Sequence, residues 1–222
     1  MDVCHLQSAD GIRSRIERGL HDPTTFRDAL LGVPSTERDA WVDRVFGLVE
    51  LPEDGPTLPR DGVPYLPCGV DALLRMVERV RMAPSDVFVD LGSGVGRAAV
   101  LVHLLTGAEA IGIEVQPALV ASARELVARL AVRRVSTVEG DAAELTRFAP
   151  IGSVFFLYCP FGGHRLVRAL AGLEALAQTR TIWVCCVDLP LPPCGWLKPE
   201  LPLAGDLAIY RSTARPAPGT HG

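Results

Sequence analysis

Asp90 stands two residues ahead of three glycines set at alternate positions, in the run Asp90-Leu91-Gly92-Ser93-Gly94-Val95-Gly96. Glycines spaced in this way let backbone approach a ligand closely, and a helix that follows them aims its N–H groups at that ligand. The carboxylate gives the cradle a sign: it repels a pyrophosphate and welcomes an ammonium. A dinucleotide fingerprint places its third glycine three positions after the second, to support a pyrophosphate over the helix. Here the third glycine comes after two, so the pattern points to a cofactor that carries positive charge and no phosphate.

The flanking residues say how that cradle is positioned. Val87-Phe88-Val89 alternates as a buried strand does, and Ala98 to Val102 continues as an apolar helix. Asp90 therefore falls at the carboxyl end of a strand, where open α/β sheets bind their ligands. Strands are expected at 108–115, 135–142, 153–158 and 181–188. A helix over 117–130 should turn Leu119, Val120, Ala123, Leu126, Val127 and Leu130 inward, and another runs through Leu166, Leu170 and Leu173. Near-continuous apolar strands alternating with helices predict an α/β fold with a doubly wound, mostly parallel, seven-stranded sheet. The rhythm changes at the end, where 196–203 and 207–212 read as a hairpin with an antiparallel member. Three short helices are expected within 1–50. The first carries Ile12, Ile16 and Leu20; the second starts at Asp22-Pro23 and stops near Gly32. The third is capped by Ser35 and bears Trp41, Val45, Leu48 and Val49. Five prolines and three acids between 51 and 67 make that stretch a linker. Val70, Leu73, Leu74, Val77 and Val80 then mark a helix leading into the first strand.

The run from Asp90 to Gly96 closely resembles the first motif of the class I S-adenosylmethionine-dependent methyltransferases. That cofactor carries an ammonium and a sulfonium and no phosphate. The resemblance implies cofactor contacts from Asp90, Gly92, Ser93, Gly94 and Gly96. It extends to Glu114, 18 residues past Gly96, whose implied role is to accept both ribose hydroxyls while Val115 packs on the adenine. Gly140-Asp141-Ala142 matches the third signature. There Asp141 is implied to accept from the adenine amine and the Ala142 N–H to donate to the ring. Amine-directed members often carry Asn or Asp, two prolines and an aromatic at the fourth strand's end. In Tyr158-Cys159-Pro160-Phe161 the last two match, so the aromatic clasp is kept and the side-chain acceptor is replaced. Gly62-Val63-Pro64-Tyr65-Leu66-Pro67 is similar to the stretch before the first motif in some lysine-directed, non-SET members. Tyr65, Tyr158 and Phe161 are the expected catalytic residues. His164 and Asp188 stand near the same edge as candidates for a general base, unassigned.

The whole composition sets bounds on these readings. The chain has 222 residues, 48% hydrophobic and 22% charged, with a net charge of −4. A globular enzyme fits these values, and the lack of a global basic field argues against extended duplex nucleic acid as partner. Arg124, Arg129, Arg133 and Arg134 read as a solvated face. The six cysteines form no metal-binding spacing, so no metal is expected and reduced thiols are. Cys185 and Cys186, adjacent in a strand, should point to opposite faces. Neither a leader nor a membrane span is legible, and a cytoplasmic protein is expected. The expected organisation is a helical cap and linker over 1–63, a cofactor-binding domain over 64–212 and a frayed tail over 213–222. The expected function is methyl transfer to an acceptor, with an amine (a protein lysine or a small metabolite) favoured over an oxygen. A non-catalytic S-adenosylmethionine-binding partner or sensor and a small-molecule O-methyltransferase are the alternatives. A nicotinamide-linked oxidoreductase is disfavoured by the glycine spacing, Asp90 and the terminal hairpin.

Overall fold

Seven strands form one sheet in the computed structural model, which describes residues 3–55, 58, 61–149, 151–200 and 205–213. The parallel strands are β1 (Val87–Leu91), β2 (Glu109–Glu114), β3 (Val135–Glu139), β4 (Val154–Tyr158) and β5 (Trp183–Val187). β6 (Leu197–Pro199) and β7 (Leu207–Ser212) close the sheet as an antiparallel pair, with β7 lying against β5. The spatial order is β3-β2-β1-β4-β5-β7-β6. The chain thus winds outward from β1 to β3, returns to β4 and winds the other way. That reversal lies between β1 and β4, and it opens a crevice at their carboxyl ends.

Helices α4 (Val70–Val80), α5 (Arg97–Thr106) and α6 (Pro117–Arg129) cover the sheet together with α8 (Gly163–Ala177). The two apolar clusters follow from strand alternation. Phe88, Phe156 and Cys185 belong to one, while Val89, Phe155 and Cys186 belong to the other. Neighbouring residues of a strand point to opposite faces, so Cys185 and Cys186 separate as expected. Both are fully buried free thiols. α5 is buried along its whole length, which fits a crossover helix held between sheet and flanking helices.

Before the sheet come α1 (Val3–Glu17), α2 (Pro23–Leu31), a 3-10 turn at Ser35–Glu37 and α3 (Arg38–Phe46). Asp22 caps α2 by accepting from the Thr25 N–H at 2.7 Å, with Pro23 at the first helical position. Phe26, Leu30, Trp41, Val45 and Phe46 are buried in the same cluster as Phe88 and α5. These helices therefore share their core with the sheet.

Three expected boundaries move. The Ser35 side chain caps no helix; it opens the 3-10 turn, and α3 begins at Arg38. α3 ends at Phe46 because Gly47 turns left-handed (φ 68°); its N–H bonds back to the Arg44 carbonyl and the Leu48 N–H to the Asp43 carbonyl, which leaves Val49 outside and 91% exposed. The third strand stops at Glu139 rather than running to Ala142. Asp141 captures the Ala143 N–H at 2.9 Å and starts the short helix α7 (Ala142–Leu145). Residues 201–203 of the expected strand 196–203, the first residue of its loop, 204, and the expected tail from 214 lie outside the described residues.

Candidate cofactor-binding site

The carboxyl ends of β1, β2 and β3 bring Asp90, Glu114 and Asp141 to one edge of the sheet. Asp90 is paired in register with Gly112, two residues before Glu114. It is 3% exposed, and no hydrogen bond to its carboxylate occurs among the described residues. Burial away from water, reinforced by the nearby Glu114 charge, pushes its carboxyl up to about 8. Such a group is poised to receive a cation.

Glu114 is buried and shapes the glycine loop directly. One oxygen accepts from the Gly94 N–H at 2.9 Å, and the other from the N–H groups of Val115 and Gln116, both at 2.8 Å. Gly92 (φ 91°) and Gly94 (φ 53°) adopt conformations that disfavour any side chain. A Cβ on Gly94 would also lie 1.9 Å from Cε2 of Tyr65, because that ring rests on the glycine's backbone. Gly96 faces Ala123 of α6, and its lack of a side chain lets the two helices approach. Ser93 is turned toward Gly112 of β2; its hydroxyl is buried and has no partner among the described residues.

A narrow cleft of about 60 Å³ opens at this edge. It is lined by Gly92, Glu114, Val115 and Ala142, at or just past the ends of β1, β2 and β3, by Tyr158 and Phe161 at the end of β4, and by Tyr65. Asp141 stands beside it, tied to the Arg165 guanidinium at 2.5 Å, and that guanidinium also lies 5.3 Å from the centre of the Phe161 ring. Phe161 is 3% exposed, while Tyr158 remains half-exposed near Asp188. Burial holds the Tyr65 hydroxyl well above the ordinary phenol range. Cys159 and Asp188 both adopt left-handed backbone, and the Cys159 thiol donates to the Asp188 carbonyl at 2.7 Å. His164 is exposed at the start of α8. Among the described residues no cluster of His, Cys, Asp or Glu is arranged to hold a metal ion.

The model of the histone methylation protein DOT1 family matches residues 67–138, the stretch from α4 through most of β3. No curated protein matches the sequence. Among solved structures, an RNA methyltransferase from Salinibacter ruber in complex with S-adenosyl-L-homocysteine is 23% identical. The match has a TM-score of 0.53 and covers 71% of this chain and 98% of that one. A precorrin-6y C5,15-methyltransferase from Geobacter metallireducens is 15% identical at a TM-score of 0.50, covering 69% and 93%. The chain has the class I methyltransferase fold. The resemblance read in the sequence, to the class I S-adenosylmethionine-dependent methyltransferases, agrees with both comparisons.

Within that methyltransferase fold, several residues of the site had no signal in the sequence. Arg97 directly follows the third glycine and is buried, donating to Asp43 at 2.6 Å, to Asp39 at 2.9 Å and to the Cys68 carbonyl at 2.7 Å. Gln116 lines the cleft and bonds Asp54 and Gly55. Gly62 forms a β-bridge with Phe161, so the proline-rich linker is stitched to the turn after β4. These contacts join segments far apart in sequence and leave no periodic trace.

Proposed function

We propose that this protein is an S-adenosylmethionine-dependent methyltransferase whose acceptor is an amine, either a protein lysine or a small metabolite. The observation that carries the reading is Asp90. A carboxyl that is buried, raised and without a donor among the described residues, set beside a glycine loop, suits the ammonium of an amino-acid cofactor. Glu114 keeps lone pairs for ribose hydroxyls while its backbone bonds fix the loop. Val115 offers an apolar face for adenine, with Asp141 and the Ala142 N–H as hydrogen-bonding partners for its edge. Gly92, Ser93, Gly94 and Gly96 supply the shape of the cradle rather than charge.

The bound cofactor would supply a methyl group on a sulfonium, displaced in line with a neutral thioether leaving. Such a step needs positioning and exclusion of water more than acid catalysis. Phe161 and Tyr158 form the wall on the acceptor side, and Phe161 presents a ring suited to a cation. Tyr65 closes the cleft over the loop. The Pro160-Phe161 clasp and the Tyr65 stretch support an amine over an oxygen. The DOT1 family match also supports it, whereas the RNA methyltransferase neighbour makes RNA the competing acceptor class. Radiolabelled methyl transfer into a fractionated lysate tests the proposal. Label in protein hydrolysed to methyl-lysine, or in a small amine, is expected; label confined to RNA or to an oxygen ester refutes the acceptor class.

A further inference from the structure

Gln116 occupies a position no cofactor motif accounts for. It is buried just past β2, and both ends of its side-chain amide are bonded to the linker. Nε2 donates to Asp54 Oδ1 at 2.8 Å, and Oε1 accepts from the Gly55 N–H at 2.7 Å. The same Asp54 oxygen accepts from the Tyr65 N–H at 3.0 Å. One carboxylate oxygen thus ties the end of β2 to the backbone of the residue whose ring rests on Gly94. On the opposite wall, the Gly162 N–H donates to the Asp61 carbonyl at 3.0 Å and the Val63 N–H to the Pro160 carbonyl at 3.3 Å. Residues 61–65 are therefore fastened to both sides of the crevice.

We propose that Gln116 and Asp54 are positioning residues that latch Tyr65 over the glycine loop, so that the cofactor enters and leaves only when this latch opens. The inference rests on the cofactor reading of the cleft. Its physical basis is space: the closed cleft leaves about 60 Å³, against roughly 300 Å³ or more for clefts that take ligands of nucleotide size. Tyr65 is the ring that fills the room above Gly94. The base on which it closes is fixed, because Arg97 anchors the loop to α3 through two carboxylates and to the segment before α4 through the Cys68 carbonyl. Movement is thereby assigned to the fastened segment and not to the helices before it.

A latch and a ligand contact differ in kinetics. Losing a contact speeds dissociation alone, whereas losing a latch speeds association and dissociation together and changes affinity little. Stopped-flow binding of S-adenosylhomocysteine to the full chain, with Gln116→Ala and Asp54→Ala, reads this difference. Asp54 does not line the cleft and is exposed, so its variant tests the latch without removing a cleft wall. In the wild type the observed association rate should level off as ligand concentration rises. In both variants the plateau and the dissociation rate should each rise about tenfold, the effect of losing hydrogen bonds worth about 1.4 kcal/mol. Hydrogen exchange of residues 61–66 without ligand should quicken in both variants. Faster dissociation alone in Gln116→Ala, or unchanged rates and exchange in Asp54→Ala, overturns the latch. Wild-type protein that binds no S-adenosylhomocysteine overturns the cofactor reading beneath it, and the gate with it.

Discussion

If Asp90 receives the cofactor's ammonium, binding must expel a proton. The native carboxyl holds its proton up to a pH of about 8, so at pH 7 about nine-tenths of the free protein is protonated there. An ammonium at bonding distance stabilises the ionised form, and the proton leaves as the ligand arrives. Ionising Asp90 at pH 7 costs about 1.4 kcal/mol, one unit of pKa, and this cost shrinks as the pH rises. Affinity for S-adenosylhomocysteine should therefore strengthen about ninefold from pH 6 to pH 7, as the proton to be released becomes easier to lose. Titration calorimetry at pH 7 in buffers of different ionisation enthalpy should return release of about 0.9 proton per ligand. Asp90→Asn preserves the shape of the neutral acid, so it should fold, bind weakly and lose the pH slope. Equal affinity at pH 6 and 7 in the wild type, or an unchanged slope in Asp90→Asn, would refute the reasoning.

Glu114→Gln leaves one carbonyl oxygen to serve three backbone N–H groups. Cofactor affinity and stability to urea should both fall, each by roughly 1–3 kcal/mol; calorimetry and urea titration check them. Gly94→Ala meets both a φ of 53° and the Tyr65 ring. It should cost roughly 1–3 kcal/mol, and adding Tyr65→Ala should recover part of that loss in urea titrations. His21 and His103 lie 6.2 Å apart by ring centre, and burial lowers both below the usual histidine range. The unfolded chain then takes up protons first as the pH drops, so stability should be level above about 6.5 and decline below it. Asp90 acts with the opposite sign, since the folded state holds its proton over the range from 3.8 to about 8. Thermal melts from pH 5 to 7 are therefore best compared in an Asp90→Asn background, where His21→Leu should flatten part of the remaining acid slope.

The parts of the site that were legible in the sequence lie at strand ends. A strand such as Val87–Leu91 announces itself by its apolar run, and short turns then fix which residue comes next; Asp90 and Glu114 needed nothing more. Asp141 was placed correctly at the edge, yet its side chain serves as a helix cap and an ion-pair partner, which shortens β3. Those roles depend on Ala143 and on Arg165, 24 residues away. At Val49 sequence and structure part, because the helical period runs on past Gly47 while the backbone at Gly47 does not. Asp54, Gln116 and Arg97 stayed invisible for a common reason. Each works through partners brought close only by the winding of the chain, and a linker rich in proline has no period to betray it.

The burial of Arg97 constrains how this protein can be shortened. A chain starting near residue 64 would keep every glycine of the loop and lose both carboxylates that answer this guanidinium. It would also open to water the core that Phe26, Leu30, Trp41, Val45 and Phe46 share with α5, where each large apolar side chain contributes about 1.5–3 kcal/mol by its burial. The opening helices thus brace the glycine loop from behind, through Asp39 and Asp43, without lining the cleft, and a shortened chain that keeps the loop should fold only if it keeps them too.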